Sequence, residues 1–299
     1  MKLFAPAYYK DFTCIADRCR HSCCIGWEID IDPNTVQKYA DITHPYGSKI
    51  KESIDPTDTP HFRLCEGERC PHLDGAGLCR IISTLGEGYL CEICREHPRF
   101  YNRTAQGLEV GIGLSCEEAC RLILQSDRWQ DILRIGEMED DGEALLFDAL
   151  PHRTHIYALL GDHSLPYEDR LREIRNSFDL SLSAITDADW RRILDSLEYL
   201  CADHRALFAA YTSTPDTTPA AAQAAERALA YFVFRHCSAA EDEADLRARL
   251  GFCLFCEALL RSLLAQDTLD MLECARVISE ELEYSEDNTA AICNIFRLI

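Results

Sequence analysis

The chain has 299 residues, with 51 acidic and 30 basic side chains and a formal net charge of −21. This charge repels the phosphates of nucleic acids and anionic membranes, so we expect neither as a partner, and it attracts a basic, lysine-bearing protein. A chain of this length can bury a core without disulfide staples, so its 17 cysteines require another explanation.

The cysteines are expected to be reduced thiols. Residues 1–6 have neither the apolar run nor the cleavage site of a signal peptide, and we find no run of about 18 apolar residues that would span a membrane. We therefore expect a cytoplasmic protein. In that compartment clustered cysteines indicate metal binding or redox chemistry rather than a disulfide framework.

The first 120 residues are turn-rich and contain few regular elements. Apolar and polar residues alternate over 27–31, which predicts a short strand. Asp32 and Pro33 then predict the start of a helix that continues to about Tyr39, because proline is favoured in a first helical turn.

A hairpin is predicted further along this segment. Residues 62–65 and 78–81 have the composition of short strands, and the turn residues 74–77 lie between them. Cys70 and Cys79 would then lie on either side of a hairpin, a geometry that brings two ligands to one metal.

Beyond Cys116 the pattern of apolar residues becomes helical. Helices are predicted over about 117–130, 166–178, 186–211, 219–237, 241–265, 267–283 and 287–298. The predicted fold is therefore mainly α. It has a small, irregular, cysteine-rich metal-binding region with short β-hairpins at residues 1–124, followed by an all-α helical bundle at residues 125–299.

Eleven of the cysteines fall in the first 120 residues and form clusters. Thiolates are soft ligands; iron–sulfur clusters usually take four of them, and structural zinc takes four cysteine or histidine ligands. Eleven thiols can serve one cluster with spares, two clusters, or zinc. The opening spacing, C-x4-C-x3-C-C, matches neither paired C-x2-C zinc motifs nor the C-x3-C-x2-C of radical enzymes that cleave S-adenosylmethionine.

The cysteines beyond residue 120, and two histidines among the N-terminal cysteines, are expected to be structural. Cys253 and Cys256 form a C-x-x-C inside an apolar helical run, where cysteine packs as a small hydrophobe. The same reading applies to Cys201, Cys237, Cys274 and Cys293. His72 and His97 lie among the cysteines, and we expect hydrogen bonds rather than a metal to hold them.

Several segments resemble the flagellin lysine-N-methylase family. They are residues 12–27, 70–74, 77–81, 94–99, 114–119 and 231–236, and the resemblance covers nearly all of residues 8–121. It implies metal ligands at Cys14, Cys19, Cys23, Cys24, Cys70, Cys79, Cys94 and Cys116. It sets aside Cys65, Cys91 and Cys120. The chain departs from the family pattern at His97 and Glu118.

The resemblance also implies an activity. The family transfers a methyl group from S-adenosylmethionine to lysine side chains of flagellin and is associated with a [4Fe–4S] cluster. We therefore expect a protein-lysine N-methyltransferase with one such cluster or two, acting on flagellin or another lysine-bearing protein. The alternative is a non-catalytic zinc- or iron-binding protein whose acidic helical domain docks a partner.

Three residues are candidates for the methyl-transfer site. A lysine amine has an unperturbed pKa of about 10.4 and must lose its proton before it can attack, and a tyrosine or a carboxylate can take that proton. Tyr231 is the catalytic candidate. Arg235, one helical turn away, and Arg99 are candidates for binding the carboxylate of the methyl donor.

Overall fold

The computed structural model describes residues 1–57, 59–139, 142, 145, 147–181 and 185–298. Its contacts divide the chain into two compact units. The cysteine-rich unit is Thr13–Arg99, and the helical unit combines Met1–Phe12 with Phe100–Ile299. These limits differ from the predicted boundary at 124/125, because the first strand and residues 100–124 pack with the helices.

The structure is mostly helical and contains a small sheet. The strands are β1 Lys2–Pro6, β2 Ile54–Asp55, β3 His61–Phe62, β4 Arg99–Thr104, β5 Gly107–Ile112 and β6 Ile132–Glu137. The helices are α1 Pro33–Ala40, α2 Tyr46–Ser53, α3 Arg80–Leu85, α4 Glu92–Glu96, α5 Glu117–Gln125, α6 Leu150–Leu160, α7 Tyr167–Ser177, α8 Asp187–Ser196, α9 Ala202–Phe208, α10 Pro219–His236, α11 Glu243–Leu264, α12 Met271–Ile278 and α13 Glu286–Leu298. A π-helical turn, Ser279–Glu283, separates the last two helices.

The four-stranded sheet has the order β4-β5-β1-β6. β1 runs parallel to β5, with Leu3 opposite Leu108, and antiparallel to β6. The prediction that residues 125–299 are all-α is therefore wrong at β6. The pairing partner of this strand lies more than 100 positions away in the sequence, and local periodicity does not report such pairing.

The core of the helical unit lies around α10 and α11. Both helices are buried on nearly all sides, the pattern of helices in the interior of a domain. Thr218 caps α10 by accepting a hydrogen bond from the N–H of Ala221, and Pro219 occupies the first turn as predicted. Among the described residues, no helix is both long enough and apolar enough to cross a bilayer.

Cysteines of the helical unit pack in this core. Cys237, Cys253, Cys256, Cys274 and Cys293 are all buried, which confirms their predicted packing role, whereas Cys201 is only partly buried. The predicted helix over 186–211 is divided into α8 and α9, and α6 lies outside all the predicted helices.

The cysteine-rich unit follows the sequence prediction in part. The predicted helix is confirmed as α1, with Asp32 as its cap and Pro33 in its first turn. The predicted strand over 27–31 is wrong: only an isolated bridge from Asp30 to His61 forms there. The alternation still has a structural meaning, because Ile29 and Ile31 are buried.

The predicted hairpin around Cys70 and Cys79 does not form, because β3, at the start of the first predicted strand, pairs with β2 instead. The turn at 74–77 is confirmed, since the Asp74 carboxylate accepts the N–H groups of Ala76 and Leu78. Cys79 then forms a bridge with Leu73. The predicted strand over 78–81 is wrong, because α3 begins directly after Cys79.

Candidate metal centre

Five cysteines lie in or against the core of the cysteine-rich unit. Cys70 and Cys91 are buried members of its hydrophobic cluster, with 7% and 1% of their surface exposed. Cys24, Cys79 and Cys94 pack against the same cluster. Four of these five are predicted ligands, and Cys91 is the residue that the family resemblance sets aside.

Three chain segments bring the five thiols together. The N–H of Cys70 donates to the carbonyl of Cys24 at 2.8 Å, which joins the first segment to the second. The turn after Cys70 returns the chain to Cys79. Cys91 precedes the first turn of α4, and Cys94 lies three residues later, so the two share one helical face.

The pKa values of these thiols reflect their closeness. Burial raises the pKa of Cys70 to about 12; the N–H of His72 opposes this shift, while Cys24, Cys79 and Cys91 add to it. The thiol of Cys94 donates a hydrogen bond to Cys91 and lowers the pKa of Cys91. Each thiolate that forms opposes the next, so a bound cation would stabilise several of them together.

One thiol of the group ionises more easily than the others. A hydrogen bond from the thiol of Cys23 lowers the pKa of Cys24 to about 7, while burial opposes the shift. Metal ligands must be deprotonated to bind. Cys24 is therefore the thiol of this group that most readily offers a ligand near neutral pH.

The other predicted ligands occupy different positions. Cys14 and Cys23 are exposed, and the thiol of Cys23 forms a hydrogen bond with Cys24 of the group. The thiol of Cys19 donates to the carbonyl of His21 at 3.1 Å. Cys116 belongs to the helical unit, where it precedes the first turn of α5.

The two other cysteines that were set aside do not join the thiol group. Cys65 is exposed and forms a bridge with Arg69. Cys120 lies in the helical unit, where it is buried and its thiol donates to the carbonyl of Leu272 at 3.4 Å.

His72 is held by hydrogen bonds, as expected. Its two ring nitrogens lie 2.9 Å from the hydroxyl groups of Tyr46 and Ser53. Burial lowers its pKa to about 4, so the ring is neutral near pH 7. With both nitrogens engaged, His72 supports the hydrophobic cluster around the thiols.

Five thiols are enough for a [4Fe–4S] cluster or a tetrathiolate zinc ion, because either needs four thiolates, but among the described residues no three of these sulfur atoms lie within 4.8 Å of one another. Apolar side chains surround them, including Ile29, Ile50, Phe62 and Ile81. Such a shell limits access of water to a metal site. A C-x-x-C at the start of a short helix is the sequence signal that identifies Cys91 in retrospect.

Tyr231 lies in a different environment, inside the helical unit. Its hydroxyl accepts the N–H of Leu114 at 3.2 Å and a guanidinium N–H of Arg235 at 3.0 Å, and it donates to a carboxylate oxygen of Glu283 at 3.1 Å. Burial raises the pKa of Tyr231 well above its usual value. The hydroxyl is fully engaged within the fold.

Arg235 and Glu283 extend this buried network. The other carboxylate oxygen of Glu283 lies 2.6 Å from the ring of His236. Burial opposes ionisation of Glu283, but Arg235 and His236 outweigh it and lower its pKa. The Arg235 guanidinium lies over the rings of Phe100 and Tyr284, at 4.8 and 5.1 Å from their centres.

Arg99 lies in the cysteine-rich unit, whereas Tyr231 and Arg235 belong to the helical unit. It is half-buried and donates to the carbonyl of Arg95 at 3.3 Å. The three residues predicted to handle substrate and donor therefore belong to two different compact units.

Among the described residues, the group of three ligand atoms that lies close enough together for one metal ion is in the helical unit. The ligand atoms of His204, Glu280 and Glu281 lie within 4.8 Å of one another. Glu281 also accepts the N–H groups of Leu200 and Cys201, and therefore caps the start of α9. No local sequence signal points to this group, since the histidine and the glutamates are far apart in the chain.

Comparison with known proteins links the chain to flagellar and lysine-methylating proteins. It is 29% identical over 165 residues to "Flagellar biosynthetic protein FliU" of Salmonella muenchen, a match that covers 52% of this chain and 94% of that protein. It is 30% identical over 127 residues to "Lysine-N-methylase" of Salmonella choleraesuis and of Salmonella typhimurium.

The two lysine-N-methylase matches cover 40% of this chain and 31% of the length of each relative. They support a relationship to flagellin methylases and a function connected with methylation. No protein-family model and no solved structure matches the chain.

Proposed function

We propose that this protein is an iron–sulfur protein that transfers methyl groups from S-adenosylmethionine to lysine side chains of flagellin or a similar protein. The similarity to two lysine-N-methylases and a flagellar biosynthetic protein supports the methyl transfer and the flagellar substrate. The five thiols of the cysteine-rich unit carry the proposal for the cofactor, because they provide four soft ligands in one apolar cluster.

In the proposed reaction, the lone pair of an unprotonated lysine amine attacks the methyl carbon of the donor. The carbon–sulfur bond breaks, S-adenosylhomocysteine leaves, and the amine gives up a proton to a base. A bound cluster would supply a metal centre that orders the surrounding loops or binds the amino acid end of the donor. Four of Cys24, Cys70, Cys79, Cys91 and Cys94 would hold it.

Within this proposal we assign Tyr231 to structure rather than to proton transfer. A general base needs a pKa near the working pH, and burial moves the pKa of Tyr231 the other way. Arg235 is committed to the same network. Arg99 remains the candidate for the carboxylate of the methyl donor, because a guanidinium pairs with a carboxylate through two hydrogen bonds.

The proposal is tested by anaerobic purification followed by two measurements. Iron and acid-labile sulfide in equal amounts, with broad absorption near 400 nm, are expected for the cluster. Incubation with S-adenosylmethionine and flagellin should add methyl groups to flagellin lysines, detected by mass spectrometry, and replacement of those lysines by arginine is the control.

Other results would lead to different conclusions. A colourless protein that contains zinc and still methylates would remove the cluster from the proposal and leave the transferase. A metal-containing protein that neither binds S-adenosylmethionine nor methylates flagellin would support the non-catalytic alternative. A requirement for dithionite together with release of 5′-deoxyadenosine would exclude polar displacement.

A further inference from the structure

A groove with a volume of about 610 Å³ lies on the cysteine-rich unit. Its lining combines carboxylates with apolar side chains. Its ionisable residues are Asp30, Asp32 and Glu92, and all three are acidic. No lysine, arginine or histidine is among the described residues that line it, so the groove favours a cation.

The carboxylates of the groove differ in how firmly hydrogen bonds hold them. Asp32 is fixed, because its two oxygens accept the N–H groups of Thr35 and Glu92 at 2.9 Å each. Partial burial opposes its ionisation, but these N–H groups outweigh it and lower the pKa of Asp32. Asp30 and Glu92 are exposed, and their carboxylates can turn towards a ligand.

The apolar part of the lining suits an aliphatic chain. Ile31, Val36 and Ile93 contribute branched side chains, and Ile93 is 36% exposed. A lysine side chain has this combination: four methylene groups pack on apolar surface, and the ammonium group stays near charge and water. A neutral or acidic side chain would not offset the charges of Asp30 and Glu92.

The groove shares an element with the thiol group. Glu92 and Ile93 form the first turn of α4, between Cys91 and Cys94. The hydrogen bond from the N–H of Glu92 to Asp32 connects α4 to the start of α1. The short helix α4 therefore belongs both to the thiol group and to one wall of the groove.

We propose that this groove binds a lysine side chain of a protein segment, with its ammonium group between Asp30 and Glu92 and its methylene groups on Val36 and Ile93. The choice of lysine rests on the proposed function, and the groove adds the place on this chain where the substrate residue is recognised. Charge complementarity and the apolar lining carry the assignment.

The test measures binding separately from methyl transfer. A fluorescein-labelled peptide with one lysine flanked by glycine and serine is titrated with the full-length protein, and anisotropy is followed. The variant Asp30→Asn/Glu92→Gln removes two exposed charges, whereas Glu52→Gln/Glu66→Gln removes two exposed charges outside the groove lining. Circular dichroism and metal content check that both variants fold.

The groove variant should bind the peptide about two- to thirtyfold more weakly, the range for two exposed ion pairs. The control variant should bind like the parent. Binding should weaken as salt is added, because exposed charges are screened, and a peptide with norleucine in place of lysine should not bind. Ile93→Ala should weaken binding without changing its salt dependence.

Three results would overturn the proposal: no binding of the peptide to the parent protein, equal binding by parent and groove variant, or weakening of S-adenosylmethionine binding alone in the groove variant. The proposed function is judged separately, from the measurement of methyl transfer. If the groove variant loses peptide binding while even the parent transfers no methyl group, the lysine site stands and the transferase fails. If methylation proceeds equally in both, the transferase stands and the groove is wrong.

Discussion

Replacement of Tyr231 by phenylalanine separates a structural role for this residue from a catalytic one. The change removes one buried hydroxyl and leaves three partners without it: the N–H of Leu114, the guanidinium of Arg235 and the carboxylate of Glu283. A buried neutral donor left unpaired costs about 1–3 kcal/mol, and a hydrogen bond to a charged group contributes about 1.5–3 kcal/mol.

The low ends of these ranges apply, because Glu283 keeps His236 and Arg235 keeps its aromatic neighbours. The expected loss of stability is therefore about 4 kcal/mol. For a unit of this size, each kcal/mol lowers the melting temperature by about 2–4 °C, so the transition should fall by roughly 8–16 °C.

The assay is thermal unfolding followed by circular dichroism, with Tyr157→Phe as the matched control. Tyr157 is also buried in the helical unit, but its hydroxyl makes one hydrogen bond, to the carbonyl of Ala230 at 2.9 Å. That change should cost about 1 kcal/mol. Equal losses in the two variants would refute the network argument. Unchanged stability of the Tyr231 variant with a hundredfold drop in methyl transfer would restore Tyr231 as a catalytic residue.

Three further predictions concern the thiols, acid stability and a buried ion pair. Cys91→Ser/Cys94→Ser leaves three of the five thiols and should lose bound metal during anaerobic purification, while Cys253→Ser/Cys256→Ser keeps it; full metal content in the first variant would place the metal outside this group. Burial lowers the pKa of His236 below that of the unfolded chain, although a carboxylate bonded to the ring opposes the shift, so its contribution to stability is complete above about pH 6.5 and decreases below it. Urea unfolding between pH 7 and pH 5 should show this slope, and His236→Gln should reduce it; an unchanged slope would argue against this assignment. Arg153→Met should cost about 3–5 kcal/mol in urea unfolding, because it leaves Glu109 buried and charged, and Glu109→Met in the same chain should recover most of the loss; no recovery would contradict the buried-pair explanation.

Local signals in the sequence were sufficient for several elements. Asp32 and Pro33 predicted the start of α1 because capping acts within one turn of chain. The turn before Cys79 followed in the same way from its glycines and aspartate. Cys24, Cys70, Cys79 and Cys94 were selected as ligands through the family resemblance, and all four lie in or against one hydrophobic cluster of the structure.

Features that depend on distant parts of the chain were not predictable in this way. The strand β6 forms because its backbone pairs with β1 in an antiparallel arrangement. Cys91 joins the thiol group because α1 and α4 are connected through Asp32. The engagement of Tyr231 depends on Glu283, which lies on a π-helical turn far along the sequence. In each case the deciding contact is tertiary.

The pairing of β1 has a consequence for the order of assembly during synthesis. Leu3 lies opposite Leu108, so the first strand has no parallel partner until β5 leaves the ribosome. The cysteine-rich unit ends at Arg99 and is complete before that moment. Because domains generally fold as units while the chain is made, the cysteine-rich unit can fold before the first strand pairs with its parallel partner.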